Sequence, residues 1–368
     1  KATKIELKER LLKLTDLLDH QLYFATGGAS FEAWKESHQP FHWIAEFYQI
    51  IQGNGGFDVI IGNPPYVEYV KKDRKTGRSV SDIYRISRYR TEACGNLYAF
   101  ILERCYSISH TLSINGYIIP SASVCTPRMK ILYEILSQKG YLWTSLWDER
   151  PSKLFEGVDQ QLCIHICRNS VNKKFFITKM NHWQTDSRIY IFRNIDFIEY
   201  KFSDIIADVP PKIQEKKEIH ILHKLLQTNS KLGLYIDSID SDTLIYYKNA
   251  GGRYWRLVKT FPTYFRSAMS DSTTTEKTFR VAKKYKKIIA AILSSSLFYW
   301  FWRIVSNCRH LTNREIEAFP LSNKIEIELN DLNSLCDVYE RSLKKNKKRS
   351  VTQNKNTGEI IQGFYFCK

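Results

Sequence analysis

A short, mostly apolar run bounded by glycines, Phe57 to Gly62, places the tightest constraint on the fold. A continuous run of this length is typical of a strand buried on both faces, as in a parallel sheet covered by helices. Predicted helices and strands then alternate: a helix over 96–112, a strand over 116–120, a helix over 129–136, and strands over 141–147 and 161–167. This alternation predicts βαβ units in an α/β layered domain.

The segments on either side of this region have a different character. Leucines at 7, 11, 14 and 18 predict an opening helix, and an aromatic-rich stretch over 41–51 predicts a second one. After about residue 170, short aromatic and β-branched runs predominate, and 244–248 with 253–258 predict a hairpin around Gly251 and Gly252. Past residue 340 a basic run, Lys344 to Arg349, predicts a solvated tail.

Composition limits the class of protein. With 43% hydrophobic residues the chain has material for packed cores, which excludes global disorder. The net charge of +17 attracts polyanions, and nucleic acid is the commonest large polyanion. The most apolar stretch, Ile288 to Trp302, is interrupted by serines and is too short for a membrane span, so it predicts a buried helix. Eight scattered cysteines and a start without an apolar signal core favour a reducing cytoplasm.

The tetrapeptide Asn63-Pro64-Pro65-Tyr66 directly follows the glycine-bounded strand. Each proline fixes its own φ and restricts the residue before it, so the two prolines predict a rigid turn with few donors. An Asn side-chain carbonyl and a backbone carbonyl are both acceptors, and together they suit an –NH2 group. The aromatic ring that follows suits a planar base that has left its duplex. The alternative is an ordinary strand-exit turn, since Asn and Pro are common turn residues.

Several ordered motifs resemble one family. The segment from Phe57 to Tyr66 resembles the catalytic motif of adenine-N6 DNA methyltransferases, in particular the gamma-type enzymes of type II and type IIG restriction–modification systems. The resemblance continues, in order, at 95–100, 115–120, 154–157, 293–300, 309–312 and 319–321, and it covers roughly residues 40 to 325.

The resemblance implies a fold class and a division into domains. It implies a Rossmann-like α/β methyltransferase half with an incomplete sheet, followed by an α+β target-recognition domain. The expected divisions are a helical lead-in segment over 1–52, the catalytic half over 53–172, the DNA target-recognition domain over 173–340 and a basic tail over 341–368.

The resemblance also implies an activity and a set of site residues. The expected reaction is direct methyl transfer from S-adenosylmethionine to the amine of a flipped adenine, with no covalent enzyme intermediate. Asn63 and the Pro64 carbonyl would hold the amine, Pro65 would complete the turn, and Tyr66 would stack on the base. Phe155 stands where the family places a second aromatic residue beside the base.

The cofactor motif is the main departure from the family pattern. The family binds S-adenosylmethionine through a glycine-rich turn upstream of the catalytic motif, and no such turn is found here. The glycine-rich segment 53–56 precedes a strand and is interpreted as a loop. We therefore expect most of the cofactor site, with no predicted cofactor residue here, to lie in an upstream part of the same polypeptide. A nuclease fused in the full protein is left open.

Two basic segments are candidates for contacts with double-stranded DNA. Lys71, Lys72 and Arg74, with Lys75 and Arg78, form a basic stretch just past Tyr66 that could bind phosphates. Between 246 and 266, cations alternate with aromatic residues, and Arg253 and Arg256 are candidates for base contacts. Solvated surface cations are the alternative for both segments.

Other functions remain open at this point. The same amine chemistry would serve an RNA base or a protein glutamine, and a non-enzymatic DNA specificity module is a further alternative. Cys163, His165 and Cys167 share one face of a predicted strand, but their spacing is unlike that of zinc sites, so we expect a buried strand face and no metal.

Overall fold

The computed structural model forms two compact units. It describes residues 2–26, 30–84, 86, 88–193, 195–236, 243–250, 257–262, 264–265, 276–322, 325, 331–353 and 360–366. The first unit comprises residues 1–124, 128–176 and 181–199, and the second comprises 125–127, 177–180 and 200–368.

Helices α1 to α7 belong to the first two-fifths of the chain. They are α1 (Ala2–Thr26), α2 (Phe31–His38), α3 (Trp43–Glu46), α4 (Val80–Ile83), α5 (Leu97–Ser107), α6 (Ala122–Cys125) and α7 (Lys130–Gln138). The opening helix is confirmed. The predicted helix over 41–51 is instead the single turn α3 and a π-helix, Gln49–Gly53, and the glycines that follow end it.

A six-stranded mixed sheet forms the framework of the candidate site. Its strands are β1 (Phe57–Gly62), β2 (Ser109–Pro120), β3 (Gly140–Trp147), β4 (Leu162–Asn169), β5 (Lys174–Asn181) and β6 (Ile198–Tyr200), in the order β1-β2-β4-β3-β5-β6. Strand β1 runs parallel to β2, and α5 connects them, which confirms one βαβ unit. Strand β4 is antiparallel to both β2 and β3. The α/β class is therefore confirmed, and the sheet continues past residue 172.

Burial of β1 differs from the prediction. The strand lies at the edge of the sheet, and its residues Val59 and Ile61 are 58% and 82% exposed. The expectation of a strand buried on both faces was wrong here because helices cover only one face of this part of the sheet. Phe57 packs against Phe47, but the apolar character of Val59 and Ile61 is not explained by packing among the described residues.

The second unit is α+β in composition. Its helices are α8 (Lys216–Leu226), α9 (Lys286–Leu293), α10 (Ser296–Val305), α11 (Asn313–Glu317) and α12 (Asp331–Lys345). Its strands are β7 (Thr243–Lys248), β8 (Val258–Lys259), β9 (Tyr264–Phe265), β10 (Glu276–Val281), β11 (Lys347–Gln353) and β12 (Ile360–Phe366). Strand β7 pairs antiparallel with β8 and also with β10. The predicted hairpin turn at Gly251 and Gly252, and most of the predicted strand over 253–258, lie outside the described residues. The limits of the domains as inferred from the sequence stay predictions.

The apolar stretch near residue 290 forms two helices and not one. Ser295 caps α10 by accepting a hydrogen bond from the Phe298 amide, and α9 meets α10 at a bend of 72°. Phe298, Phe301 and Trp302 are fully buried, as predicted for this stretch. Within the described ranges no single helix has the length and apolar character to cross a membrane, and only this bent pair passes that test, by length and composition alone.

Candidate active site

The corner that follows β1 is held by the hydroxyl of Tyr66. This hydroxyl donates to Asn63 Oδ1 at 2.6 Å and also lies 3.0 Å from the carbonyl oxygen of Ile118, on the neighbouring strand β2. The side-chain amide of Asn63 is thereby oriented by a residue three positions later in the chain. An amide oxygen has two lone pairs, so Asn63 Oδ1 keeps a second acceptor position.

Exposure differs along the tetrapeptide. Asn63 and Pro65 are exposed, Pro64 is buried, and Tyr66 is half-buried. Among the described residues none donates a hydrogen bond to the Pro64 carbonyl. The two predicted acceptors therefore lie on adjacent residues, of which Asn63 is exposed, and the burial of Pro64 fixes the backbone between them.

The Tyr66 ring packs on an aromatic cluster at the ends of several strands. Buried Trp147, Leu154, Leu162 and Trp183 form this cluster, and Tyr66 lies against it. Burial raises the pKa of the Tyr66 phenol to about 12, so the hydroxyl remains a donor at neutral pH. Phe155, the next residue after Leu154, is 36% exposed. The structure thus brings the segment of Phe155 to the cluster that supports Tyr66, while the role of Phe155 at a base stays a prediction.

Arg188 fixes the segment that leads to Phe155, a role that no sequence pattern indicated. Its guanidinium donates to the carbonyl of Leu154 at 2.8 Å and to that of Lys153 at 3.2 Å. The same guanidinium lies over the Trp183 ring, 5.4 Å from its centroid. Spacing could not reveal this contact because Arg188 comes from a later turn of the chain.

Backbone pairing anchors the stretch that leaves Tyr66. The Leu97 amide donates to the Val67 carbonyl, and the Tyr69 amide donates to the Gly95 carbonyl, each at 2.9 Å. The side chain of Glu68 pairs with Arg128 at 2.5 Å. The motif over 95–100 therefore pairs with the stretch that directly follows the tetrapeptide.

The predicted basic stretch is an ordered surface loop. The carboxylate of Asp73 accepts hydrogen bonds from the amides of Lys75 and Thr76, both at 2.9 Å, and these bonds, first that of Thr76, lower the pKa of Asp73. At the base of the loop the Ser81 amide donates to the Tyr69 carbonyl. The cations of the loop are all exposed: Lys71, Lys72, Arg74, Lys75 and Arg78. Their role in phosphate binding stays a prediction.

The Cys163–His165–Cys167 strand face is buried, as expected. His165 is fully buried, and its ring makes hydrogen bonds with Ser123 Oγ at 3.2 Å and Thr144 Oγ1 at 2.9 Å. Burial lowers the pKa of the imidazole to about 4, which keeps it neutral at physiological pH. In the part of the chain that the structure describes, no group of three or more His, Cys, Asp or Glu residues could hold a metal ion.

The second basic segment is only partly described. Arg253 and Arg256 lie outside the described residues, so their predicted base contacts remain predictions. Lys259, from the same segment, is 1% exposed and pairs with Glu276 at 2.6 Å. Lys259 therefore stabilises the second unit and does not belong to a surface that could contact DNA.

Gly56, in the glycine-rich segment before β1, is explained by the path of the backbone. A Cβ on Gly56 would lie 2.6 Å from the His110 amide nitrogen, and the φ of Gly56 is +125°. Glycine is needed there because the backbone passes close to the start of β2. This close approach explains the glycine without a ligand, and the interpretation of the segment as a loop stays a prediction.

Comparison with known proteins finds similarity to restriction–modification proteins over part of the chain. Residues 3–145 match the sequence model of the Eco57I restriction-modification methylase family. The type II restriction enzyme and methyltransferase RM.MjaORFECS2P of Methanocaldococcus jannaschii is 27% identical over 213 residues, 57% of this chain and 17% of that protein. RM.Eco57I of Escherichia coli is 27% identical over 183 residues, 49% of this chain and 18% of that protein. The resemblance to restriction–modification methyltransferases is confirmed, and the chain matches under one-fifth of the length of these curated relatives.

Comparison with solved structures finds restriction–modification enzymes at low TM-scores. The ATP-dependent Type ISP restriction-modification enzyme LlaBIII, bound to DNA, has a TM-score of 0.38 and 9% identity, over 83% of this chain and 33% of that chain. The type IIG restriction endonuclease BpuSI has a TM-score of 0.27 and 10% identity, over 76% of this chain and 49% of that chain.

Proposed function

We propose that this chain is the amine-binding and DNA-binding part of an adenine-N6 DNA methyltransferase from a restriction–modification system. The observation that carries the proposal is the corner after β1. There Asn63 Oδ1 is exposed and is oriented by the Tyr66 hydroxyl at 2.6 Å, beside the carbonyl of buried Pro64. Two oriented acceptors suit the two hydrogens of an exocyclic amine.

The chemistry of the amine explains why such a corner is useful. The nitrogen lone pair of adenine's amine is delocalised into the ring, which makes the amine a poor nucleophile. Hydrogen bonds from its two hydrogens to Asn63 and Pro64 favour a pyramidal nitrogen, whose lone pair is then available for attack. S-adenosylmethionine would supply an electrophilic methyl group, and residues outside those described would bind it. The residues of this chain hold the amine and orient its lone pair.

The charge distribution supports a polyanionic substrate. The loop over 70–80 presents five exposed cations within about fifteen residues of Asn63, and the whole chain carries a net charge of +17. The aromatic cluster under Tyr66 supports a ring that would stack on a flipped base. An amine on an RNA base or a protein glutamine is the alternative substrate that an experiment must distinguish.

Methyl transfer by the complete enzyme tests this proposal. The enzyme is incubated with labelled S-adenosylmethionine and, in separate reactions, with unmethylated genomic DNA, RNA and protein, and the labelled product is identified by mass spectrometry. We expect N6-methyladenine in DNA, and an Asn63→Ala variant that is slower by about 100-fold or more. The 368-residue chain alone should show no transfer.

A matched control variant distinguishes a loss of catalysis from a loss of folding. Asn172 is exposed in the turn between β4 and β5, so Asn172→Ala should retain full activity. Label in RNA, protein or cytosine would contradict the adenine assignment. An Asn63→Ala enzyme as active as the Asn172→Ala control would contradict the role of the corner.

A further inference from the structure

The segment that carries Phe155 is a loop, here called the Phe155 loop. It joins β3 to β4 over residues 148–161, all of which the structure describes, and it contains neither helix nor strand. Phe155 is 36% exposed, whereas the preceding Leu154 is 8% exposed and belongs to the cluster under Tyr66. Since no regular ladder of backbone hydrogen bonds holds this loop, its conformation depends on contacts with other parts of the chain.

A second segment, residues 181–192, runs along the Phe155 loop and is here called the brace. His182 Nδ1 of the brace lies 3.2 Å from the Arg150 carbonyl oxygen of the loop. Further along both segments, Thr185 Oγ1 lies 2.7 Å from Ser152 Oγ. The contacts advance in step, so the brace follows the loop towards its middle.

Arg188 makes the brace contact that is nearest to Phe155. Its guanidinium donates to the carbonyl of Lys153 at 3.2 Å and to that of Leu154 at 2.8 Å. The Leu154 carbonyl belongs to the planar peptide unit that leads into Phe155, so a bond to this oxygen fixes the orientation of that plane. Between the plane and the aromatic ring, only the φ and side-chain torsions of Phe155 remain free to rotate.

The guanidinium of Arg188 is itself held in place. It lies over the ring of Trp183, 5.4 Å from the centroid, and Trp183 is buried in the same cluster as Leu154. At the end of the brace, the ring of Phe192 meets Trp147 of that cluster edge-on at 5.4 Å. The Arg188 residue as a whole is exposed, so it does not fill a core. What it supplies is a planar fork with two donors, which a lysine cannot reproduce.

We propose that Arg188 is a positioning residue for methyl transfer, which acts by holding the Phe155 ring at the flipped base. This inference rests on the proposed function. A preorganised site needs its groups within about 0.5 Å of the productive position, and a misplacement of about 1 Å can slow a reaction about 100-fold. A phosphate contact fits Arg188 less well, because its guanidinium already donates to two carbonyl oxygens and lies over a ring.

Kinetics of the complete enzyme test this role. The rate of methyl transfer at saturating DNA and the Kd for DNA are measured for Arg188→Ala, Phe155→Ala and the double variant. We expect Arg188→Ala to slow transfer by about tenfold or more and to leave the Kd unchanged. Because Arg188 acts through Phe155, the double variant should be slower than Phe155→Ala by no more than about twofold. Arg188→Lys keeps the charge but not the fork, so it should remain slow.

A neighbouring arginine serves as the matched control. Arg193 is exposed just past the brace, where its guanidinium lies 4.7 Å from the centroid of the Tyr190 ring, so Arg193→Ala should match the wild type. A wild-type rate for Arg188→Ala, or losses that multiply in the double variant, would overturn the proposal. So would full activity of Arg188→Lys together with a weaker salt dependence of DNA binding in Arg188→Ala, which would make Arg188 a phosphate contact.

A spectroscopic signal tests the same contact without relying on activity. Phe155 is replaced by 4-trifluoromethylphenylalanine in the complete enzyme, and its fluorine resonance is recorded by NMR. Arg188→Ala should shift or broaden this resonance, and Arg193→Ala should not; an unchanged resonance in Arg188→Ala would contradict the positioning role. If the methylated product is not N6-methyladenine in DNA, the proposed function fails, whereas the resonance and the coupling between Arg188 and Phe155 in the measured rate are scored separately.

Discussion

The hydroxyl of Tyr66 donates to Asn63 Oδ1 over 2.6 Å, and so links the last residue of the tetrapeptide to the first. The same hydroxyl reaches the Ile118 carbonyl of β2, which ties the corner to the sheet. The residue expected to stack on a base therefore also orients the residue expected to hold the amine of that base. The two predicted roles are coupled through one hydrogen bond.

Removal of this hydroxyl is expected to cost stability. Tyr66→Phe keeps the ring but loses the bonds to Asn63 and Ile118, so the free energy of unfolding should fall by about 1 kcal/mol. Tyr66→Ala also removes the ring from the aromatic cluster and should lower it further, by about 3 kcal/mol. Urea unfolding measures both. Tyr48→Phe, at a position 63% exposed, is the control and should match the wild type. A Tyr66→Phe variant as stable as this control would show that the bond is not formed in solution.

Charge removal in the loop over 70–80 should weaken DNA binding in a salt-dependent way. Each phosphate contact contributes about 0.9 to the slope of log K against log salt, so Lys71→Gln with Lys72→Gln should reduce the slope by about 2. Fluorescence anisotropy with a mixed-sequence duplex at several salt concentrations gives this slope. The double variant Lys173→Gln with Lys174→Gln changes an exposed pair where β5 begins and should have little effect. Equal slopes for the two double variants would remove the loop from the DNA interface.

Burial of His165 predicts a loss of stability in mild acid. The pKa of the folded-state imidazole is about 4, against 6.5 for an unperturbed histidine, so the unfolded chain binds a proton more readily. This histidine costs no stability above pH 6.5, and its destabilising effect grows as the pH falls from 6.5 to about 4, up to about 3 kcal/mol. The groups that face the ring are Ser123, Thr144 and the thiol of Cys163.

The free energy of unfolding measured between pH 4 and pH 7 checks this effect. His165→Asn should be less stable than the wild type at pH 7 but should lose less of its stability in acid. His220→Asn, at an exposed position of α8, should keep the wild-type pH profile. Parallel profiles for wild type and His165→Asn would mean that His165 is not buried in its neutral form.

The buried pair of Lys259 and Glu276 should be essential to the second unit. Glu276→Gln leaves the ammonium of Lys259, 1% exposed, without its carboxylate, and should lower the free energy of unfolding by about 3 kcal/mol. Burial already lowers the pKa of Lys259, so the unpaired amine would lose its proton more easily. Thermal unfolding compares this variant with Asp337→Asn, which breaks the exposed Lys287–Asp337 pair and should have little effect. Equal shifts in Tm for the two would contradict the burial of Lys259.

Local features of the chain were readable from the sequence. The glycine-bounded run predicted β1, the leucine spacing predicted α1, and the alternation after residue 95 predicted α5, β2, α7, β3 and β4 in order. These predictions were correct because the spacing of apolar residues in a strand or a helix is set by residues close together in the chain. The acceptor-rich corner was equally readable, since two prolines restrict the backbone wherever they occur.

Burial and long-range contacts were decided by the tertiary structure alone. Val59 and Ile61 have the composition of a buried strand, yet they lie on an uncovered face at an edge, because burial depends on what packs there and not on composition. The Ile118 carbonyl supports the corner, and Arg188 fixes the segment at Leu154, each from a position far along the chain. Such contacts follow from how strands and loops meet in space, and no local pattern encodes them.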